Sequence, residues 1–449
     1  MGRTTTDAKA TGLTDAPATP ERVGNIVGTA YGLVALASSA AAVVVPAIRD
    51  DFDLSLATGA WVLTAFVIAL AASAPIYGRV ADHVGPRTPI TIGLAVLSAG
   101  ALLSAIAPNI ETVIAARAIL GLGAGAMPVL APVIIAGNTT ESERPQALTR
   151  MSGIVAASAS GLLIGAVIAE FVGWRPVLAL PALGLLLLGP VRRLTPESIG
   201  NVKGIDLLGG FGVAIIAVGL NLILQLTTNL AVGLGGIALV VLGVGASLVG
   251  SRRSETPFIP TTVLRRSVTW RVPVAAAAIP ATFFSLLIAI PAVLTEVHGF
   301  GQITIGALLF PAALTGLFVG PLATKLRQFV STKHEAAVGV GLAAISMLAA
   351  AFSMNFPIGL AISFALLAIA FGIAQGALLG LLMNSTPANE QGAALAVFMV
   401  IFFMGGGIGG TLLTILGESL SLGTSLAIIA ILPIASALAI LMLREPSRP

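Results

Sequence analysis

The chain has 449 residues, 57% of them hydrophobic and only 9% charged, with a mean hydropathy of +1.03; a soluble domain carries about 25% charged residues, so no water-soluble fold hides this much apolar surface. It contains no cysteine, which excludes disulfides, thiolate metal sites and cysteine nucleophiles. His83, His298 and His334 lie far apart, so no metal site is expected, and the formal charge of +4 has to be judged by where the basic residues fall.

Residues 1–22 are polar, rich in Thr, Ala and Pro, and are expected to form a disordered cytoplasmic tail. They lack the apolar core of a cleaved leader, so the first span is expected to be retained. Apolar runs of bilayer length then follow at 24–46, 58–77, 88–107, 112–137, 147–169, 175–191 and 206–226. The series continues at 230–250, 270–295, 303–326, 335–353, 357–384, 390–416 and 422–443. The pattern predicts an all-α polytopic membrane protein with fourteen spans and both termini on one side. On that count twenty Lys and Arg lie in loops on the side of the termini, Arg49 and Arg175 lie on the other side, and Arg117 falls inside span four. The positive-inside rule makes the terminal side cytoplasmic. The basic pI is then a consequence of topology, and no nucleic-acid partner is expected.

The first six spans and the last six share features at a nearly constant offset. Gly78 corresponds to Gly320, "NTT" from Asn138 to "NST" from Asn384, and Gly161 and Gly165 to Gly406 and Gly410. A duplicated six-helix unit accounts for this. Two like halves with a helix pair between them suit a secondary transporter, whose substrate binds near the midplane between halves that rock. A duplicated scaffold that transports nothing is the competing reading.

Polarity is concentrated after span two, in "GRVADHVGPRTPI" from Gly78. Gly78 and Gly85 permit a tight turn and close helix approach. Asp82 can face a helix N-terminus or a guanidinium, a contact that one rocking state makes and the other breaks. Span four contains "RAILGLGAGAMPVLAP", in which Arg117 is an intramembrane charge, costly enough to suggest function; snorkelling to the surface is the plainer alternative. Gly121 and Gly123 follow it, and Pro128 and Pro132 loosen the helix. Span five carries "SGLLIGAVIAEFVGWRP", whose small residues let helices pack closely. There is no phosphate-binding Gly-Lys-Ser loop and no His-carboxylate cluster, so neither an enzyme nor a cofactor is expected.

Together these stretches resemble the major facilitator superfamily. Gly78, Asp82, Gly85 and Arg87 match the family's loop between helices two and three, which the resemblance implies stabilises the outward-facing state; His83 and Pro86 depart from its usual basic residues. Arg117, Gly121 and Gly123 are similar to the fourth-helix motif linked to proton coupling in exporters, with Leu120 in place of Gln. Gly153, Gly161 and Gly165 resemble the fifth-helix antiporter motif, with Leu162 in place of Pro and Ala166 in place of Gly. "GIDLLGGFG" from Gly204 and "TPFIPTTVLRRSVTW" from Thr256 resemble the flanks of the extra helix pair in fourteen-helix drug:proton antiporters.

The resemblance implies a six-helix bundle over 23–200, two additional central helices over 201–255 and a second bundle over 256–445. It further implies a monomeric plasma-membrane exporter of small, largely apolar compounds, such as drugs, antibiotics or metabolites, working by alternating access with proton antiport. Arg117, Phe66, Phe284, Gln375 and Phe402 are the expected cavity-wall residues. In span one, however, Ala37 stands where the family has an acid and Ser39 where it has Thr. A proton-independent uniporter or an exporter of lipid-like molecules therefore stays open, as does a transport-silent sensor or scaffold.

Overall fold

The computed structural model describes residues 19–195, 206–227, 229–254, 257–387 and 390–443, and every regular element among them is helical. Residues 1–18 of the expected tail lie outside the described residues. The remainder of that tail is corrected to helix from Pro20, because Thr19 accepts the Arg22 N–H and Pro20 brings a helical φ to the first position.

The first helices are α1 (Pro20–Phe52), α2 (Leu56–Val84) and α3 (Arg87–Ala105). Span four is divided at Gly125 into α4 (Ile110–Ala124) and α5 (Ala126–Asn138), span five into α6 (Arg144–Ala157) and α7 (Gly161–Val172), and span six into α8 (Trp174–Ala179) and α9 (Gly184–Leu194). A hairpin of α10 (Leu207–Ile223) and α11 (Leu230–Arg253) precedes a short α12 (Thr261–Arg265). Then come α13 (Val268–Glu296), α14 (Gln302–Leu314), α15 (Val319–Phe329), α16 (Thr332–Phe352), α17 (Pro357–Asn384), α18 (Gln391–Gly417), α19 (Leu422–Ile429) and α20 (Ile431–Leu441).

Among the described residues twelve helical runs are long and apolar enough to cross a membrane. The expected spans at 147–169 and 303–326 are the two not in that count, because their apolar helical runs, Gly161–Val172 and Gln302–Phe318, fall short of bilayer length. Their breaks have chemical causes. At Ser158–Ser160 the chain tightens into a 3₁₀ turn, and the Ser158 carbonyl accepts the Ser39 hydroxyl from α1 at 3.3 Å. In α14, Pro311 removes an N–H; the Thr315 hydroxyl that follows donates to Ala312 O and Ala365 O at 2.6 and 3.1 Å. Backbone groups freed at membrane depth thus find partners inside the protein.

Burial is that of a protein in lipid. Large apolar side chains such as Phe171, Leu186, Val241 and Leu242 point outward, whereas the buried residues of α11 are four glycines. Gly236 and Gly243 of α11 lie against Gly219 and Gly212 of α10, so the two backbones touch almost directly. This hairpin is seated on both α2 and α18. Direct packing of α2 on α18 and of α7 on α14 forms the seam between early and late helices.

Candidate functional site

The seam differs at its two ends. One is basic, carrying Arg22, Arg79, Arg87, Arg150 and Arg271. At the opposite end Arg49, near the close of α1, forms an ion pair with Glu296 at the last position of α13. Beside it α7 meets α14 with almost no side chain between them: a Cβ on Gly306 would stand 2.6 Å from the Ala166 Cβ and 2.9 Å from Leu162 O. At the basic end α6 touches the turn at Thr315–Phe318, and beside this contact lies an opening of about 760 Å³ whose lining includes Glu21, Gln146, Arg150, Ile154 and Leu317.

The glycines of span five have a different role from the residues that replace the family pattern. Gly161 and Gly165 face Ser39 and Ala40 of α1, within the early helices. Leu162 and Ala166 are the residues that meet α14, and Gly306 on the partner helix supplies the smallness that Ala166 lacks. Sequence reasoning marked Leu162 and Ala166 as departures and had no signal for Gly306, which is one glycine among 51.

Arg117 is fully buried at the α1–α2–α4 junction rather than on an open wall. Its Nε donates to Val62 O at 2.8 Å, its Nη2 donates to Ala37 O at 3.0 Å, and its guanidinium lies 4.8 Å from the Phe66 ring centroid. Nη1 is buried with no partner among the described residues. Carbonyls and a phenyl face offset the cost of the charge where a carboxylate would otherwise do so. Gly121 allows this approach by lying against Phe66 O and Ala69 of α2, while Gly123 lies against Leu97 and Gly93 of α3. Snorkelling outward is excluded by the burial.

Phe66 and Phe402 are also fully buried, Phe284 nearly so, and Gln375 is half-buried. Phe284 and Phe402 belong to one aromatic cluster: Phe283 lies 5.4 Å from Phe284 and 5.4 Å from Phe371, and Phe371 lies 5.8 Å from Phe402. Gln375 is one turn beyond Phe371 on α17. Phe66 belongs instead with Arg117. The expected wall is thus two separate groups, a cation on a phenyl ring among the early helices and a phenylalanine cluster among the late ones.

The loop after α2 is held by its glycines. Gly85 ends the helix at φ +75°, a conformation that favours glycine, and Arg87 opens α3 two residues later. Gly78 lies against Val129 of α5. Asp82 stands 3.9 Å from Arg79 Nη1 and is 60% exposed, beside a cavity of about 190 Å³ shared with Ala393 and Met399 of α18.

Arg79 Nη2 also donates to Pro257 O at 3.1 Å. The next residue, Phe258, donates its N–H to the buried Asp206 carboxylate, which also accepts the Gly209 N–H and so caps α10. The polar loop is therefore tied to the base of the α10–α11 hairpin. Sequence reasoning did not foresee this tie, although the two stretches flanking the hairpin held its acid and its aromatic residue.

Twelve apolar helical runs of bilayer length, with early and late helices packed directly across one seam, define a polytopic membrane fold. The match to the description "Major Facilitator Superfamily" over residues 27–410 is consistent with this, and the chain belongs to that family. It is 28% identical to "Multidrug efflux pump LfrA" of Mycolicibacterium smegmatis, across 84% of this chain and 77% of that one. It is 29% identical to "Cephamycin export protein CmcT" of Amycolatopsis lactamdurans, across 75% of this chain and 72% of that one. In fold it is similar to the xylose transporter XylE of E. coli in a partially occluded inward-open conformation, with a TM-score of 0.66 at 14% identity over 96% of this chain and 99% of that one.

Proposed function

We propose that the chain is a secondary exporter of small, largely apolar compounds that works by alternating access in the cell membrane, with both termini cytoplasmic. The observation that carries this reading is the asymmetry of the seam: an ion pair and a glycine contact close one end, while the basic end carries an opening of about 760 Å³ beside the contact of α6 with the turn at Thr315–Phe318. In this reading residues 23–200 and 256–445 rock as two six-helix bundles, with 201–255 as an additional pair. The broken helices at 147–169 and 303–326 each cross the bilayer, bringing the spans to fourteen. The names of the two relatives, a multidrug efflux pump and a cephamycin exporter, support export of small molecules.

Gly78, Asp82, Gly85 and Arg87 act as the conformational switch loop, and Gly121, Gly123, Gly161 and Gly165 set the helix approaches. Phe66, Phe284, Gln375 and Phe402 flank the path that opens between the two groups, and Arg117 supplies its charge. Proton antiport energises the cycle. A proton-independent route is kept as the second reading on one observation: Arg117 donates to the Ala37 carbonyl, where no group titrates.

The test uses the protein in liposomes with an imposed pH gradient, following a hydrophobic dye and lumenal pH together. Dye movement coupled to proton flux is expected. Movement indifferent to the gradient selects the second reading, and no movement of any of a broad panel leaves the scaffold. Tags at the N-terminus and after Pro449 should both be reached only from the cytoplasm, and an external tag at either end would refute the topology.

A further inference from the structure

On the outer face of the late helices, away from the seam, a groove of about 730 Å³ runs between α18 and α20 over a floor of α13. It exists because α13 and α18 cross very closely: a Cβ on Gly405 or Gly409 would run into the carbonyls of Ala277 and Ala281. Small residues make the floor low, and the flanking helices make the walls. The lining is apolar except for Ser436 and Arg271. Arg271 stands at the basic end, is exposed, and its guanidinium has no partner among the described residues.

The groove has a defined depth. Its floor runs along α13 from Arg271 to Ala281, ten residues, which at ~1.5 Å rise each is about 15 Å, half of a ~30 Å hydrocarbon core. It therefore reaches from one membrane boundary to the midplane, the depth of one leaflet. Trp270, next to the arginine, is 42% exposed and marks the interface level.

We infer that this groove binds an anionic glycerophospholipid of the cytoplasmic leaflet, one acyl chain lying over the Ala277–Gly405 floor and the phosphate on Arg271. The choice of occupant rests on charge complementarity at one end and one-leaflet depth along the rest. A second copy of the chain would bring an apolar face and leave Arg271 without an anion. The inference takes its orientation from the topology proposed above and does not depend on what is transported.

The test is a binding measurement on the full chain in phosphatidylcholine vesicles. A minor fraction of brominated phosphatidylglycerol or, separately, brominated phosphatidylcholine is added, and the fluorescence of Trp270 is isolated by subtracting that of Trp270→Phe. One arginine at a membrane surface favours an anionic lipid by about fivefold, so brominated phosphatidylglycerol should quench at about a fifth of the mole fraction. Arg271→Ala should abolish the preference, Arg271→Lys should keep most of it, and Arg265→Ala, which alters an exposed arginine outside the groove, should leave it intact. Added glycerol phosphate should not compete. Equal quenching by the two lipids, or a preference that survives both Arg271→Ala and Arg271→Gln, would overturn the inference. Because there is no native cysteine, Ala435→Cys tests the other occupant: a cross-linked homodimer in these vesicles would also overturn it.

Discussion

Two loops at the basic end occupy equivalent places in the repeat and are built differently. After α2, Asp82 and Arg79 lie three residues apart on one helix, 3.9 Å from each other, with the carboxylate 60% exposed. Between α15 and α16, Arg327 crosses from one helix to the next and its Nε donates to both oxygens of Glu335 at 3.0 and 2.9 Å, with the carboxylate fully buried. An exposed pair contributes about 0–1 kcal/mol and can be exchanged for water or another partner at little cost. A buried carboxylate cannot give up its cation on those terms. In the alternating-access cycle proposed above, the first loop can therefore change partners at little cost, whereas the second cannot.

The largest expected effect breaks the fixed loop. Arg327→Ala leaves the Glu335 carboxylate buried without its cation; because the Arg327 side chain is itself 55% exposed, the cost should fall below the ~3–5 kcal/mol of a fully buried pair yet exceed that of an exposed one, read as a drop in unfolding temperature or failure to insert. Asp82→Ala should stay within about 1 kcal/mol of the parent chain in the same assay. Equal losses from the two substitutions would erase the distinction.

Next comes the contrast between the centres, Arg117 on Phe66 against the phenylalanine cluster. Arg117→Ala removes two charge-assisted hydrogen bonds, each worth about 1.5–3 kcal/mol, although the carbonyls they satisfied sit within helices that persist. Its sharper readout is selectivity. With Arg117 present, neutral or weakly acidic apolar compounds should be exported at least as well as quaternary amines of similar size, since no carboxylate pairs with Arg117. Arg117→Ala should remove any advantage of the acidic member in matched pairs assayed in expressing cells. Strong selective export of quaternary amines by the parent chain would mean that an acid such as Glu296 or Glu170 reaches the path.

Much of this architecture was legible in the sequence. Hydropathy gave the helical class, and the ends of α3, α16, α17 and α18 fall within a few residues of the predicted runs, because lipid imposes length as well as polarity. The breaks at Ser158 and Thr315 were not legible, since a continuous apolar run does not reveal where a hydroxyl from another helix takes up a carbonyl. Arg117 announced itself as the charge within a span, and Gly85 as the turn. Its partners did not: Val62 and Ala37 contribute only backbone oxygens, which every residue has. Helix rotation decided that Phe66 joins Arg117 while Phe402 joins Phe371, and rotation depends on neighbours on other helices, here 51 and 31 residues away.

A smaller effect sharpens the contrast at the switch. Asp82→Asn keeps the side chain's size and removes its charge, worth roughly 0.3–2 kcal/mol if the carboxylate faces a helix N-terminus in one state. Such a change shifts a balanced equilibrium several-fold. Transport should fall with expression and insertion unchanged, and cysteine accessibility at engineered positions along the α7–α14 seam should shift toward one open state. Normal transport with an unaltered labelling pattern would show that Asp82 is an incidental acid in a basic loop.

The smallest effect lies at the start of α6. Glu143 accepts the Thr140 N–H at 3.0 Å and the Thr140 hydroxyl at 2.8 Å, and these bonds hold its carboxyl below the ordinary glutamate range. At the start of α18 in the second half, Glu390 is instead paired with Arg266 at 2.7 Å and largely buried, so once again the first half is held locally and the second by a guanidinium. Because the folded carboxyl has the lower pKa, its contribution to the loop is complete above the unfolded value of about 4.3 and is lost as pH falls through the folded one. Near neutrality the loop should not respond to pH at all. Hydrogen exchange at the Thr140 amide, compared between the parent chain and Glu143→Gln so that intrinsic exchange cancels, should show greater protection in the parent at pH 7 and convergence only in the acidic range. Equal protection at pH 7 would mean that the carboxylate contributes nothing to the loop, and a divergence that grows on acidification would give the linkage the opposite sign.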